Sequence, residues 1–391
     1  MKKVLFVLLC ASVALIWWGK SGNTSAKSAV TEILKEAGIE IDGKKPYDIT
    51  VYDEAFYPEV LANGSLGLGE TYMANMWDAK RVDQFIYKIL TAKIEDTSKW
   101  QRALQYMQAK LFNLQSKSLS KEVIDIHYNL GNQLYEKMLG PSMAYSCGYW
   151  KNAKNLDEAQ YAKYDLICRK LKLEKGMKIV DIGCGFGGFA KYAAEKYKVS
   201  VLGITLSENQ AAYAKKLCAN LDVEIRIQDY RDLQGSFDRV VSIGMFEHVG
   251  PKNYDEFMQV ADRVLKDGGL FLLHTIGKNE SSDACDPWIR KYIFPGGVLP
   301  SIAQIATASE NRFIMEDWHN FGPDYDKTLM AWHANFNQNW NMLSQDYSPT
   351  FFRMWNYYLL GCAAAFRARD CQLWQIVFSK NRLAPQYQRE T

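Results

Sequence analysis

A chain of 391 residues is long enough for two domains and a sizeable core, and its 48% hydrophobic and 23% charged residues are those of a folded globular protein. A net charge of +3 is too small to argue for a nucleic-acid partner. The 8 cysteines form no CxxC pair and the 5 histidines no HExxH, which disfavours a metal site and a disulfide framework and fits reduced thiols in the cytosol.

Met1-Lys2-Lys3 precedes an apolar run over 4–18. The run resembles a secretory signal, yet it falls short of the roughly 20 residues that span a bilayer. The expectation is a segment that anchors or targets the chain to the membrane surface, with the body cytoplasmic and peripheral to the inner membrane. Export and an upstream non-native start are the alternatives. Residues 1–27 are set apart as this segment and a polar linker.

Residues 28–118 read as a small, mainly helical N-terminal domain. Apolar residues recur at helical spacing over 73–90 and 100–114, and Asn63-Gly64-Ser65-Leu66-Gly67-Leu68-Gly69 reads as a Gly-rich turn. The short, polar, basic stretch 116–120 marks a boundary, and 119–391 forms the second domain.

In the second domain, helices are expected over 122–139, stopped by Gly140-Pro141, and over 157–171. Strand patterns follow at 178–182, 199–204, 223–228, 238–243 and 269–275, with helices at 188–197, 208–219 and 253–266. This alternation predicts an α/β fold with a doubly wound, mostly parallel sheet that binds ligands beyond the strands' carboxyl ends. The tail adds helices near 328–343 and 351–366 and a strand near 373–378.

Residues 178–188 read Lys-Ile-Val-Asp-Ile-Gly-Cys-Gly-Phe-Gly-Gly, a buried strand entering a tight turn at a helix N-terminus. Gly183, Gly185 and Gly188 satisfy GxGxxG, which says nucleoside cofactor without saying which. An NAD site wants an acid closing the second strand to hold the ribose. Here that strand ends Gly203-Ile204-Thr205-Leu206-Ser207, with no carboxylate until Glu208. Asp181 ahead of the loop can accept from a cationic ligand, and Asp229 after the third strand can accept from an adenine amine. Acids in those places suit S-adenosylmethionine better than a pyrophosphate, which they would repel. Asp181 as a helix N-terminal charge partner is the plainer alternative.

Several further motifs carry a family resemblance. Tyr145-Ser146-Cys147-Gly148-Tyr149-Trp150, the glycine loop, Asp229-Tyr230-Arg231-Asp232 and Gly244-Met245-Phe246-Glu247-His248-Val249-Gly250 are similar to the cyclopropane-fatty-acyl-phospholipid synthases. So are His274-Thr275-Ile276-Gly277, Tyr292-Ile293-Phe294-Pro295-Gly296, Asp317-Trp318-His319-Asn320-Phe321-Gly322 and Ala365-Phe366-Arg367-Ala368-Arg369-Asp370. The likeness runs from about residue 30 to about 380 and omits the apolar run at the N-terminus.

The resemblance implies a class I methyltransferase fold and methylene transfer from S-adenosylmethionine to a cis double bond of a phospholipid acyl chain in a bilayer. It implies a bound bicarbonate as base, held by Cys147, Glu247, His274 and Tyr325 with backbone from Ile276, and a functional cysteine at Cys362. Direct proton abstraction by Glu247 is the rival. Core packing is the plainer alternative for Cys147, His274 and Tyr325 and the favoured reading for Cys362, and a helix-capping role is the alternative for the Glu247-His248 pair.

Around the cofactor, Tyr145 and Ser146 are expected at the methionine end, with Gly183 and Gly185 under it. Thr205, Leu206 and Gln210 are expected around the ribose, and Asp229 and Tyr230 at the adenine. A helix cap at 208 is the alternative for Thr205 and Gln210. Trp332, Phe336 and Trp340 recur at helical spacing, as a core stripe or an acyl-tunnel lining. Peripheral membrane association is expected through Arg367 and Arg369 with Tyr357, Tyr358 and Trp374, and the resemblance implies a homodimer.

Overall fold

The computed structural model describes residues 23–92, 131–380 and 387–390. The apolar run at 4–18, the expected helix at 100–114, the boundary at 116–120 and the start of the expected helix at 122–139 lie outside the described residues. The chain divides into two compact units, Met1–Ser98 with Pro349–Tyr357, and Lys99–Ser348 with Tyr358–Thr391. Residues 349–357, grouped on sequence with the second domain, cluster with the first unit.

The first unit holds helices Asn23–Glu36, Phe56–Asn63, Ser65–Met73 and Val82–Thr91, with strands β1 (Ile49–Val51) and β2 (Trp77–Ala79) paired antiparallel. Two expectations are corrected here. The stretch 63–69 is no extended turn: the chain breaks at Gly64, with φ 56°, and Gly67 and Gly69 lie inside a helix. Gly67 is there for a close helix contact, since a Cβ would sit 2.3 Å from the Glu59 carbonyl oxygen. Nor is 73–90 one helix, because Trp77 starts β2. Trp77 is fully buried against Phe56, Tyr72 and Phe85 and its indole N–H donates to the Leu68 carbonyl at 3.1 Å, contacts that outweigh helical spacing. Arg353 donates to the Asp78 carboxylate at 2.9 Å and lies over the Tyr72 ring, which ties 349–357 into this unit.

The second unit is built on a seven-stranded sheet: β3 (Lys178–Ile182), β4 (Ser200–Thr205), β5 (Val223–Ile227), β6 (Phe237–Ile243), β7 (Leu265–Lys278), β8 (Ile314–Asn320) and β9 (Cys371–Ser379). Their spatial order is β5-β4-β3-β6-β7-β9-β8. The pairs from β5 to β7 are parallel, and β9 runs antiparallel to both β7 and β8. Helices Gly188–Tyr197, Glu208–Leu217 and Tyr254–Val264 fall in the expected gaps.

Adjacent strand residues feed opposite cores, as the pleat requires. Val180 and Ile182 pack with Phe257 and Met258 on one face, while Ile179 packs with Ile167 and Ala190 on the other. Both faces are thus covered, which is why these strands read as continuous apolar runs. The strand β8 and helices Pro287–Tyr292 and Ile302–Ser309 were not anticipated. β8 sits at the sheet edge with Asp317 its single buried residue, so it shows no apolar run.

Candidate active site

Strand order reverses between β3 and β6, which opens a crevice beyond the strands' carboxyl ends. The loop after β3 turns sharply, with φ of 88° at Gly183 and 54° at Gly185. A Cβ at Gly183 would lie 2.6 Å from that of Met245, so glycine lets the loop meet the segment after β6.

Every residue expected at the cofactor lines the one cleft formed there. Tyr145, Ser146, Asp181, Gly183 and Gly185 line one part of it. Thr205, Leu206, Gln210, Asp229 and Tyr230 line the rest, at the ends of β4 and β5.

Asp181 is buried and its Oδ1 has no hydrogen-bond partner among the described residues. Burial pushes its carboxyl up to about 7, against the pull of the Lys163 charge. The buried Tyr230 hydroxyl is likewise without a partner. These orphaned groups fit a ligand bearing both a cation and polar edges. Asp229 accepts from the Arg231 backbone N–H at 2.9 Å and from Arg231 Nη1 at 3.0 Å. Thr205 Oγ1 donates to Gln210 Oε1 at 3.0 Å, while Ser207 caps the following helix by accepting from the Gln210 N–H. The capping alternative therefore belongs to Ser207, which leaves Thr205 and Gln210 on the cleft wall.

The residues expected at the reacting centre do not line this cleft; two of them adjoin it along the chain. Cys147 follows Ser146, and Glu247 precedes His248, which does line the cleft. Glu247 is buried, its Oε1 accepts from the Ile276 N–H at 2.7 Å, and its Oε2 has no hydrogen-bond partner among the described residues. Burial pushes the carboxyl up to about 7, with the Ile276 N–H pulling it back. The Ile276 N–H is thus already committed to Glu247.

His274 on β7 is buried, with Nδ1 3.3 Å from Gln375 Nε2 and Nε2 unpartnered. Burial holds its imidazole well below the usual range, and the Lys163 and Lys170 charges add to this. Cys147 is fully buried, with Sγ donating to the Gly148 carbonyl at 3.2 Å. Burial pushes its thiol well up, and Asp324 adds to the effect.

Burial raises the Tyr325 phenol well up, and the nearby Cys147, Glu247, Tyr145 and Cys362 add to the effect. Cys362, half-buried on helix Pro349–Arg367, is raised by burial and by Cys371. An aromatic wall joins cleft to centre. Tyr145 meets Trp332 with centroids 5.3 Å apart, Trp332 meets Tyr325 at 5.9 Å, and Tyr325 meets Phe366 at 4.5 Å. Trp332 and Phe336 are fully buried, and Trp332 both fills core and faces this wall.

One expectation fails on packing. Tyr357, Tyr358 and Trp374 are buried, and Arg367 pairs with Asp326 at 2.8 Å. Arg369 donates to Gln372. The three aromatics are packed inside the fold and cannot face a membrane there, while Arg369 stays exposed. Sequence reasoning also missed His248, Met245, Phe186 and Arg231 on the cleft wall, and Lys163 and Gln160 behind it. The signal for the last two was their i, i+3 spacing on the buried face of helix Leu156–Lys170.

A parallel sheet with this reversal, an antiparallel strand inserted next to its β8 edge, and a glycine loop beneath a cleft define a class I S-adenosylmethionine-dependent methyltransferase. Solved structures agree. The cyclopropane synthase MmaA2 from Mycobacterium tuberculosis superposes with TM-score 0.64 at 31% identity, covering 66% of this chain and 98% of that one. The mycolic acid cyclopropane synthase CmaA1 complexed with SAH and CTAB gives TM-score 0.63 at 35% identity, covering 66% and 98%. The family model for mycolic acid cyclopropane synthetase matches residues 115–376. The chain is 54% identical over 351 residues to the cyclopropane-fatty-acyl-phospholipid synthase of Escherichia coli, covering 89% of this chain and 92% of that one. It belongs to the cyclopropane synthetase family and is an S-adenosylmethionine-dependent enzyme.

Proposed function

We propose that this enzyme transfers a methylene from S-adenosylmethionine to the cis double bond of an unsaturated phospholipid acyl chain, as a step of lipid biosynthesis. One observation carries the reading beyond the family. A buried carboxyl with an oxygen unpartnered among the described residues, Glu247, adjoins a residue of the cofactor cleft, and an aromatic wall runs from Tyr145 of that cleft through Trp332 to Tyr325.

An alkene is a weak nucleophile and must meet the sulfonium methyl in line and without water. Methyl transfer leaves a carbocation on the chain, which the faces of Tyr145, Trp332 and Tyr325 can stabilise. Loss of a proton from the new methyl closes the ring. Bicarbonate, when bound, supplies the base for that proton. The unpartnered Glu247 Oε2 and His274 Nε2 fit such an ion, with Cys147 and Tyr325 as further donors. The Ile276 N–H serves indirectly in this arrangement, by fixing Glu247 Oε1. The substrate implies docking on a bilayer, and the family likeness supports a homodimer.

The test is incubation with S-adenosylmethionine and monounsaturated phosphatidylethanolamine vesicles, followed by acyl-chain analysis. A saturated ring product is expected. A methylated chain that keeps an alkene would assign a plain methyltransferase. Carbonate-depleted buffer should slow turnover and added bicarbonate restore it; an unchanged rate would assign the base to Glu247 itself.

A further inference from the structure

Helix Leu156–Lys170 carries two fully buried lysines. Lys170 is paired with Asp317 at 3.2 Å, which accounts for it. Lys163 is different. Its acceptors among the described residues are neutral: Ser146 Oγ at 2.8 Å and Gln160 Oε1 at 2.7 Å. Gln160 in turn donates from Nε2 to the Ser146 carbonyl at 2.9 Å. Ser146 is therefore gripped at its side chain and its backbone by two residues one helical turn apart.

Burying an ammonium is costly: burial pushes Lys163 down to about 7, and the Tyr164 ring 4.6 Å away and neutral acceptors are its direct contacts, so a lysine kept here needs a reason. The segment it holds supplies one. Tyr145 and Ser146 wall the cleft, and Cys147 follows them toward the reacting centre. The Lys163 charge also reaches Asp181 and favours its ionised form at the same cleft.

We propose that Lys163 is a positioning residue for the methyl donor, acting with Gln160 to fix Ser146 and hence the 145–147 wall of the cleft. This rests on the reading that the cleft holds S-adenosylmethionine. Lys163 does not line the cleft, so it acts through Ser146. The clamp is a two-limbed network around one residue, and removing either limb leaves a buried polar group unsatisfied.

The full-length enzyme is compared as wild type, Lys163→Met, Gln160→Leu, Ser146→Ala and the Lys163→Met/Ser146→Ala double variant. S-adenosylmethionine binding is read by titration calorimetry, with kcat, both KM values and melting temperature alongside. Lys163→Met is expected to raise Kd and KM for S-adenosylmethionine about tenfold, the loss of one charge-assisted hydrogen bond. It should leave the KM for lipid vesicles unchanged and kcat at saturating donor within about threefold. The double variant should be no worse than the worse single, because both remove the same contact.

Equal losses in kcat and both KM values, tracking a lowered melting temperature, would make Lys163 a structural residue and overturn the proposal. So would additive effects in the double variant. Should Lys163→Met not fold, Gln160→Leu and Ser146→Ala carry the same test, and wild-type donor affinity in both overturns it. A wild-type enzyme whose donor binding ignores Asp229→Ala and Gly183→Ala would instead refute the cleft reading. Normal donor binding by Lys163→Met in an enzyme sensitive to those two refutes the clamp alone.

Discussion

Replacing Glu247 by Gln should make the protein more stable and nearly inactive, and the stability gain should depend on pH. Burial moves this carboxyl from 4.5 to about 7. Each unit is worth about 1.36 kcal/mol, so ionising Glu247 in the folded state costs about 3 kcal/mol relative to the unfolded chain. A carboxyl raised on folding favours the native state fully below its unfolded value, and that support is lost as pH rises through about 7. Glutamine has the same shape, keeps an oxygen to accept from the Ile276 N–H, and never ionises. At pH 8 the Glu247→Gln protein should therefore gain at most about 3 kcal/mol, or roughly 5 °C or more in melting temperature for a domain of this size. At pH 5 the linkage leaves less than about 1 kcal/mol, and the two proteins should melt nearly together. Ring formation should fall by at least about two orders of magnitude if base positioning is essential. Scanning fluorimetry at the two pH values, with acyl-chain analysis, reads both effects. A gain that is absent at pH 8, or equal at both pH values, would refute the buried-ionisation argument; near-normal turnover would remove Glu247 from the chemistry.

Gly183→Ala forces a side chain at φ 88° and places its Cβ 2.6 Å from that of Met245. It should cost about 1–3 kcal/mol in denaturant unfolding and weaken donor binding several-fold, and an unaffected enzyme would deny the loop its close contact. Asp229→Ala removes the partner of Arg231 at the end of β5, and calorimetry should show donor affinity down about tenfold with a helical-cap loss of about 1 kcal/mol. Tyr325→Phe keeps the ring packed on Phe366, so melting should be unchanged while kcat falls tenfold or more. Wild-type kcat there would leave Tyr325 as packing.

The α/β alternation was legible because parallel strands buried on both faces become apolar runs bounded by glycine turns. Val180 and Ile182 with Ile179 between them are such a run. The cofactor wall was legible because it gathers at strand ends, where Asp181, Thr205 and Asp229 fall. β8 was not, since an edge strand reading Ile-Met-Glu-Asp-Trp-His-Asn has no apolar period. The glycines of 63–69 misled because a helix crossing demands a small residue as surely as a turn does. Tyr357, Tyr358 and Trp374 misled in the opposite sense, because aromatic residues beside arginines read as a membrane face until the fold buries them. Lys163 stayed hidden because a lysine in a helix reads as solvated unless its stripe is known to be buried.

The electrostatics of the proposed centre narrow its chemistry further. The Cys147 and Cys362 thiols and the Tyr325 phenol are held protonated by burial, and His274 is held neutral. Of the ionisable side chains expected there, Glu247 alone sits near neutrality, at about 7. A carbocation formed at the aromatic wall in the proposed reaction would therefore meet neutral donors, ring faces and a single carboxyl able to carry negative charge. Placing a general base in such a site leaves two choices: Glu247 itself, or a small anion that Glu247 and its neutral neighbours hold. The neighbours favour the second. Thiol, phenol and imidazole N–H groups are hydrogen-bond donors an oxyanion can use, and none of the three is hydrogen-bonded to Glu247, whose Oε2 accepts from no described residue. With Oε1 taken by the Ile276 N–H, the neutral carboxyl carries its proton on Oε2, and ionisation frees Oε2 to accept from an oxyanion's own hydroxyl. The rate should then rise with pH through about 7, as the carboxyl loses its proton. Direct abstraction by Glu247 gives the same rise, so the pH profile must be read with bicarbonate withheld. Under depletion the held-anion mechanism predicts a flat, low rate at every pH, and direct abstraction by Glu247 predicts the rise intact.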